Sequence, residues 1–463
     1  MLKKYVNCIK HDLIPIGIII LFVILGFGYV HMSARDIVFM DFWRNIVEYI
    51  EPTMQGTLTW TDIWKGAFGQ RNPLQFLLLV WNIKYLNLNC LWEEYAGIVV
   101  MGLETLVLLC VWRKTTKEEY ESTRKKCNFL FLPIIVITFS LNQWEIVSLQ
   151  FSFVFQIRLF TYLLAFIFID QALKVKKERM FGIAGIWSGI LICSVSQLYF
   201  TGMLIVSCIV MILACYIEKV PIVKSAKYIV LYLLPNIVAV CLYFWNLPMQ
   251  NAGGSFDAFV KILFNGRLYL GLMYMLVASI LPQSVVQTMM LQYVILLGTT
   301  LLIIIIGSVG MFLYAKMWRR SYVPIFTLGY GLISIFIIIY GRINEFDLMY
   351  LTASRYTCET NFIWIGCSFI WAWNLLEEGM DGRKWGSVLA LFCICILVLE
   401  LDYAELKTAP YRGVYKDNLI EYLKNGKEIK KGDEQIELFQ STEELVIQGV
   451  DLMKKYKLNV YHE

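Results

Sequence analysis

Charged side chains lie next to strongly apolar segments, where they could bind an anionic lipid and accept a proton. The stretch MSARDIVFMDFWRN carries two aspartates, and the stretch GRINEFDLMYLTASRY carries two arginines and ends in a tyrosine. These side chains are Asp36, Asp41, Arg342, Arg355 and Tyr356. A carboxylate near the membrane surface can act as a general base, and guanidinium groups hold a phosphate and stabilise its charge. The residue types therefore indicate sugar transfer from a phosphate carried by a lipid.

Three further polar residues are predicted to face the same side of the membrane. Arg71 lies in GQRNPL, Glu145 in NQWEIVSLQ, and Arg158 in the apolar segment that follows. We predict Asp41 as the general base with Asp36 beside it. We predict Arg355, Arg342 and Arg71 as ligands of the lipid phosphate, and Glu145, Arg158 and Tyr356 as secondary site residues.

Each main candidate also has a structural interpretation that the sequence leaves open. Asp41 can cap a surface helix that starts at FWRN, because Asp is a favoured N-cap residue. Asp36 can pair with Arg35 or with a lipid headgroup. Arg355 can be an arginine that extends to the interface from a membrane helix. Glu345, in the same stretch as Arg355, is a further acidic residue of the predicted outer face.

The composition indicates a protein with many membrane spans. Of its 463 residues, 58% are hydrophobic and 17% are charged, and the mean hydropathy is +0.61, whereas soluble domains are about 45–50% apolar. The net charge of +5 comes from short basic clusters between apolar runs, which predicts topology rather than nucleic-acid binding. Three histidines and scattered cysteines predict no metal centre built on those ligands. No cofactor is predicted with certainty, and a divalent cation stays an open option.

Eleven apolar segments are predicted to cross the membrane, each needing roughly 20 residues. They are 13–32, 92–112, 127–141, 157–173, 181–199, 201–217, 228–247, 290–315, 322–340, 360–376 and 385–401. Lys and Arg mark cytoplasmic ends. This rule places the N-terminus inside together with the five basic clusters at 113–126, 174–179, 218–227, 316–320 and 377–384. The error on the span count is about two.

The loop 33–91 is predicted to lie outside as short surface helices, broken at EPT and at GQRNP. Its tryptophans are interpreted as an interfacial belt; they are Trp43, Trp60, Trp64 and Trp81. Three shorter apolar stretches are predicted as interfacial or re-entrant pieces on the outer face: 74–89, 146–156 and 268–282.

The chain is predicted to divide into a membrane domain, 1–401, and a small appendage, 402–463, outside the membrane. The appendage is predicted as an αβ unit, with a helix in STEELVIQGVDLMKKY and a strand at KLNVY. The predicted fold class is therefore an all-α polytopic membrane protein with amphipathic surface helices and this αβ addition.

Several short motifs resemble those of the GT-C class of glycosyltransferases, which use polyprenyl-phosphate sugars. They are DFW, GQRNPL, NQWEIVSLQFSFVFQ, GRINEF followed by SRY, and LMKKYKLNVY. Related bacterial proteins show D-D-W, N-E-H-R, W-E-N…G-F-Q and G-R…S-R-Y. Here Asp41 is followed by Phe42, which leaves one carboxylate at that point. The resemblance implies a transferase of the bacterial cytoplasmic membrane that takes a lipid-linked sugar and gives it to a glycan or lipid-linked acceptor.

Two other functions fit parts of the sequence. A polysaccharide polymerase or ligase also uses lipid-linked glycans, but it favours a dominant outer loop late in the chain, whereas the longest here follows the first span. A transporter or flippase of lipid-linked sugars needs polar residues along a path through the membrane. Apart from Glu104 and some amides, the middles of the predicted spans are apolar.

Overall fold

The computed structural model describes residues 13–66, 70–195, 197–247, 256–342, 347–377, 382–425 and 434–462. Within these ranges the chain forms helices, turns and loops, and no β-strand. The α-helices are α1 (Leu13–Ser33), α2 (Phe42–Gln55), α3 (Trp60–Lys65), α4 (Pro73–Tyr85), α5 (Leu91–Thr115), α6 (Lys117–Thr138), α7 (Trp144–Val147), α8 (Ser152–Val175), α9 (Glu178–Ser194), α10 (Phe200–Ile217), α11 (Ile222–Phe244), α12 (Phe256–Phe264), α13 (Arg267–Ala278), α14 (Gln283–Thr288), α15 (Leu291–Tyr314), α16 (Val323–Gly341), α17 (Thr357–Leu376), α18 (Gly382–Lys424) and α19 (Glu443–Tyr456).

In the described part of the chain, nine helical segments are long and apolar enough to cross a membrane. They are α1, α5, α6 with the turns after it, α8, α10, α11, α15, α16 and α18. The pair α12 and α13 makes a tenth if it counts as one span, and it is bent by 82° at its break. Such a bend is that of a broken span or of a re-entrant loop, and the sequence predicts the second.

Two more predicted spans form helices that fall outside this set. α9 has 17 residues, and α17 carries several polar side chains along its 20 residues. Every residue of α17 is buried, so the neighbouring helices surround it completely. The structure therefore supports nine or ten spans, and the count of eleven stays a prediction.

The basic clusters meet at one end of the helix bundle. Four contacts join them: Lys174 Nζ to the Arg319 carbonyl (3.0 Å), Arg320 Nη1 to the Thr115 carbonyl (3.3 Å), Lys176 Nζ to Glu218 (2.7 Å) and Lys126 Nζ to the Leu375 carbonyl (2.6 Å). Their common location is what the charge rule requires of cytoplasmic loops.

The predicted outer segments meet at the opposite end, around residues 139–151. Four contacts join them: Gln150 Nε2 to the Ile37 carbonyl (2.9 Å), Lys416 Nζ to the Ser148 carbonyl (2.7 Å), the Leu141 amide to Asp402 Oδ1 (2.7 Å) and Arg355 Nη1 to Glu145 Oε1 (2.8 Å). The first loop, the loop before α17 and the tail therefore share one end of the molecule.

The tail does not stand apart from the first loop. The two share a hydrophobic core, here called the loop–tail core, in which Trp43 contacts Phe439 edge-on with ring centroids 5.4 Å apart. The predicted division at 401 falls inside α18, which is continuous from Gly382 to Lys424. Burial of apolar side chains from the first loop and from the tail stabilises these two segments as one unit.

The predicted αβ character of the tail is wrong. KLNVY forms no strand: Leu458 is extended, and Asn459–Tyr461 is a 3-10 turn. Lys457 and Asn459 have positive φ angles of 52° and 53°, which interrupt an extended segment. The helix predicted just before it is confirmed as α19.

Three details of the first loop and its neighbours were predicted incorrectly. α2 continues through Pro52 to Gln55, with Gly56 as its C-cap, because the apolar face of its preceding turns packs in the loop–tail core. Trp43 belongs to that core and is fully buried rather than interfacial, whereas Trp60 is 60% exposed. Residues 152–156 are not a separate surface piece, since they form the first turn of α8.

Cysteine labelling tests the topology directly. Single cysteines at positions 60, 350 and 440 should react with a membrane-impermeant reagent from the same side of the membrane, because these exposed positions lie at one end of the bundle. A cysteine at exposed position 176 should react only from the other side. Labelling of positions 60 and 350 from opposite sides would exclude a shared site.

Candidate functional site

Five side chains from α7, the end of α16 and the loop before α17 form a polar site, here called the arginine cluster. They are Glu145, Arg342, Tyr350, Arg355 and Tyr356. Arg355 lies in the 3-10 turn before α17, and its Nη1 is 2.8 Å from Glu145 Oε1 in the one-turn helix α7. The Arg355 amide donates to Glu145 Oε2 at 3.3 Å, and the Glu145 amide donates to Ser354 Oγ at 3.1 Å. The structure thus joins two of the predicted site residues.

Arg342 approaches the same place from the end of α16. Its Nε donates to the Tyr356 hydroxyl at 3.0 Å, and its Cζ is 4.9 Å from the centre of the Tyr350 ring. Arg355 Cζ is also 4.9 Å from that centre, and one of its N–H groups donates to the Tyr350 hydroxyl. Two guanidinium groups therefore contact a single aromatic ring.

The charges of the arginine cluster favour an anionic ligand. Burial alone would lower the pKa of Arg355, but the Glu145 carboxylate and the phenol groups of Tyr356 and Tyr350 raise it above its ordinary value. The pKa of Arg342 is raised in the same way, with Tyr356 and Tyr350 outweighing its burial. Both guanidinium groups thus stay charged, and Glu145 is the one carboxylate among these five side chains, so the five together carry an excess of one positive charge. In the part of the chain that the structure describes, Arg355 Nε has no hydrogen-bond partner.

A second ion pair supports the arginine cluster from inside the bundle. Arg158 is fully buried and is paired through Nη2 with Glu359, in the first turn of α17 directly after Arg355 and Tyr356. The Arg158 guanidinium also lies 4.1 Å from the ring centre of Tyr199. Arg158 thus holds the start of α17 in place and does not itself reach the cluster's open side.

Asp36 has a different environment from the one predicted. Its Oδ1 accepts hydrogen bonds from the Cys90 amide at 2.7 Å and from Asn459 Nδ2 at 2.8 Å. Arg35, its suggested partner, pairs instead with Asp417 at 2.6 Å. Asp36 therefore ties the first loop to α5 and to the C-terminal turn, and these contacts favour a structural role.

Replacing Asp36 by Asn should leave activity close to that of wild type and change the free energy of unfolding by about 1 kcal/mol, since an amide oxygen can accept both hydrogen bonds. Burial raises the pKa of Asp36 in the folded protein, and the bonds from Cys90 and Asn459 only partly oppose this. The Asp36 carboxyl group thus stabilises the folded protein at pH values below its pKa in the unfolded chain. This contribution to the free energy of unfolding is lost as the pH rises through its pKa in the folded protein. Unfolding curves measured across this pH range should show that Asp36→Asn removes this pH dependence of the free energy of unfolding. A large loss of activity would instead support the predicted catalytic role.

Asp41 occupies the N-cap position of α2, as the structural interpretation expects, but its side chain makes no capping hydrogen bond. The residue is exposed. Within the described ranges its carboxylate has no hydrogen-bond or ion-pair partner. Asp41 is therefore available to an incoming group from solvent or from the membrane surface, and it makes no contact with the arginine cluster in this structure.

Arg71 is not part of the arginine cluster. It lies before α4, with its amide donating to the Tyr243 hydroxyl at 2.9 Å and its Nη2 donating to the Trp245 carbonyl. Its guanidinium stacks 4.9 Å from the ring centre of Trp64. These partners belong to the first loop and to the end of α11, so the structure separates Arg71 from Arg342 and Arg355.

Two residues of the site were missed by sequence reasoning. Tyr350 lies in the predicted outer loop, and its central contacts with both arginines depend on the fold of that loop. Glu359 could have been found, because a carboxylate at the start of an apolar segment is costly and needs a partner. The same reasoning had drawn attention to Glu104. Glu345, which the sequence also placed on the outer face, lies outside the described residues.

Among the residues that the structure describes, no three His, Cys, Asp or Glu side chains are grouped so that they could hold a metal ion. Comparisons of this chain with known protein families, with curated proteins and with solved structures find no match.

Proposed function

We propose that this protein is a membrane glycosyltransferase that moves a sugar from a polyprenyl-phosphate carrier to a cell-envelope glycan or lipid-linked acceptor. One observation is the basis of the proposal: the guanidinium groups of Arg342 and Arg355 converge on the Tyr350 ring at one end of the bundle, and Arg355 is paired with Glu145 there. Paired guanidinium groups match the oxygens of a phosphate. The resemblance of the GRINEF and SRY motifs to the GT-C class is a second support.

In the proposed reaction, a base removes the proton of an acceptor hydroxyl while its oxygen forms a bond to the anomeric carbon of the sugar. The bond from that carbon to the phosphate oxygen breaks, and the lipid phosphate leaves with the electron pair. Arg342 and Arg355 stabilise the charge of the leaving phosphate. Asp41, exposed on the same end of the bundle, is the proposed base.

The proposed location is the bacterial cytoplasmic membrane, with the arginine cluster and the tail outside and the N-terminus inside. The gathering of the basic clusters at the opposite end supports this orientation. The lipid bilayer would present the carrier phosphate at headgroup depth, where the turn before α17 lies. No nucleic acid is expected as a partner.

Binding of the carrier tests the proposal. Purified protein in nanodiscs should bind a polyprenyl-phosphate sugar at least about tenfold more tightly than the matching polyprenol without phosphate, because charged hydrogen bonds to the phosphate are lost. Arg342→Ala should remove most of this difference. Arg44→Ala, which alters a half-buried arginine paired with Glu48 on the first loop, is the control and should bind as wild type. Equal binding of the two lipids would contradict the proposal.

A further inference from the structure

A shallow apolar groove runs between α9 and α11 on the outside of the bundle. Its volume is about 500 Å³. The side chains that line it include Ile186, Ile190, Cys193, Leu234, Val238 and Leu242. Most of them are about half exposed, so this surface faces the hydrocarbon chains of the bilayer.

Arg71 lies at one end of this groove. Its contacts to Tyr243 and Trp245 place it at the end of α11, and it interacts electrostatically with Cys193 near the end of α9. Both helices end there, at the same end of the bundle as the arginine cluster. The Arg71 guanidinium thus lies where both helices end, close to the apolar groove.

Within the part of the chain that the structure describes, no carboxylate compensates the charge of Arg71. The side chain is 1% exposed, and its Nε and Nη1 have no hydrogen-bond partner in the described part of the chain. Its neighbours include the neutral groups of Tyr243 and Cys193, and no carboxylate is among the groups that act on it. A buried cation without a counter-ion is unfavourable, so an anion supplied from outside would stabilise it.

We propose that a membrane phospholipid binds at this place, with its phosphate on Arg71 and one acyl chain in the groove between α9 and α11. The phosphate supplies the negative charge that the buried Arg71 guanidinium needs. The site is separate from the arginine cluster and does not depend on the proposed transferase activity.

A bilayer phospholipid suits this site better than the sugar carrier does. The groove opens on the lipid-facing surface of two peripheral helices, and the contacts of Arg71 are not shared with Arg342 or Arg355. Phospholipids surround this surface at all times, whereas the carrier must reach the site where its phosphate leaves. The carrier is therefore the alternative that the experiment must exclude.

Native mass spectrometry of the full-length protein in detergent tests the proposal with two probes, phosphatidylglycerol and a diacylglycerol with the same chains. Wild type should retain phosphatidylglycerol about tenfold more strongly or better, since only that lipid offers charged hydrogen bonds to Arg71. Arg71→Ala should abolish the difference between the probes. Excess inorganic phosphate should not displace the lipid, because it cannot fill the groove.

A second pair of variants tests the groove without touching Arg71. Val238→Trp narrows the groove and should weaken phosphatidylglycerol retention. Val230→Trp, at a similarly exposed position of α11 outside the groove, should not. The proposal would be overturned if Arg71→Ala and Val238→Trp both retained phosphatidylglycerol as strongly as the wild-type protein does. The proposal would also be overturned if an equal amount of polyprenyl phosphate displaced phosphatidylglycerol in a way that depends on Arg71. Displacement of the lipid by inorganic phosphate alone would overturn it too.

Discussion

The Arg355→Lys protein should bind the donor lipid about ten- to a hundredfold more weakly than wild type, although the substitution keeps the positive charge. Arg355 uses the two ends of its guanidinium group at once, toward Glu145 and toward Tyr350, and it lies against two aromatic rings. A lysine ammonium is a point charge without this planar fork. Charged hydrogen bonds are worth about 1.5–3 kcal/mol each, and Arg355→Ala should weaken binding further. Titration of protein in nanodiscs with a labelled polyprenyl-phosphate sugar measures the change.

The alternative interpretation of Arg355 predicts a different result. If the side chain only extends to the interface, lysine can do the same, and Arg355→Lys should bind the donor as wild type does. Arg44→Lys is the matched control for a conservative change at a half-buried, ion-paired arginine. Equal donor affinity of Arg355→Lys and Arg44→Lys would remove Arg355 from the proposed site.

Asp41→Asn should lower turnover by about 100-fold or more, because the amide keeps the shape of the carboxylate but cannot accept the proton of the acceptor hydroxyl. Donor affinity should not change, since Asp41 makes no contact with the arginine cluster. Stability should not change either: the Asp41 side chain makes no capping hydrogen bond, and Asn is an equally good N-cap residue. Initial rates of sugar transfer together with thermal unfolding separate these effects.

Glu145→Gln is the comparison for Asp41, because Glu145 is the carboxylate inside the arginine cluster. If Asp41→Asn transfers sugar at the normal rate while Glu145→Gln is inactive and still binds donor, the base is Glu145. If both variants transfer normally, no carboxylate of this site acts as the base and the proposed mechanism is wrong.

The helices of the bundle could be predicted well because each of them corresponds to a continuous run of apolar residues, which is a local feature of the sequence. The predicted segments 201–217 and 290–315 differ by one residue at most from α10 and α15. The predicted span 360–376 also coincides with α17. The complete burial of α17 could not be predicted, since the hydrophobic periodicity of a segment does not reveal how many helices surround it. The strand predicted at KLNVY failed because Lys457 ends α19 in the left-handed conformation, and Asn459, which contacts Leu88 and Asp36, also has a positive φ angle.

The candidate site was predictable in its residue types but not in its pairing. Glu145 and Arg355 are 210 residues apart in the chain, and nothing in either motif identifies the other as its partner. Asp36 and Arg71 carry charges like those of the cluster members, yet Asp36 bonds Cys90 and Asn459, and Arg71 contacts Tyr243 and Trp245. Charge near an apolar segment therefore indicates candidates, while tertiary contacts determine which charges meet.

Consumption of the lipid carrier is the most direct test of the proposed function. Purified wild-type protein would be incubated with a panel of polyprenyl-phosphate sugars and an envelope glycan extract, and release of sugar-free polyprenyl phosphate would be measured. We expect release from at least one donor by wild type and by Arg44→Lys, and strongly reduced release by Arg355→Lys and Asp41→Asn. A folded protein that moves the labelled donors between leaflets without cleaving any of them would contradict the proposal and identify a flippase instead.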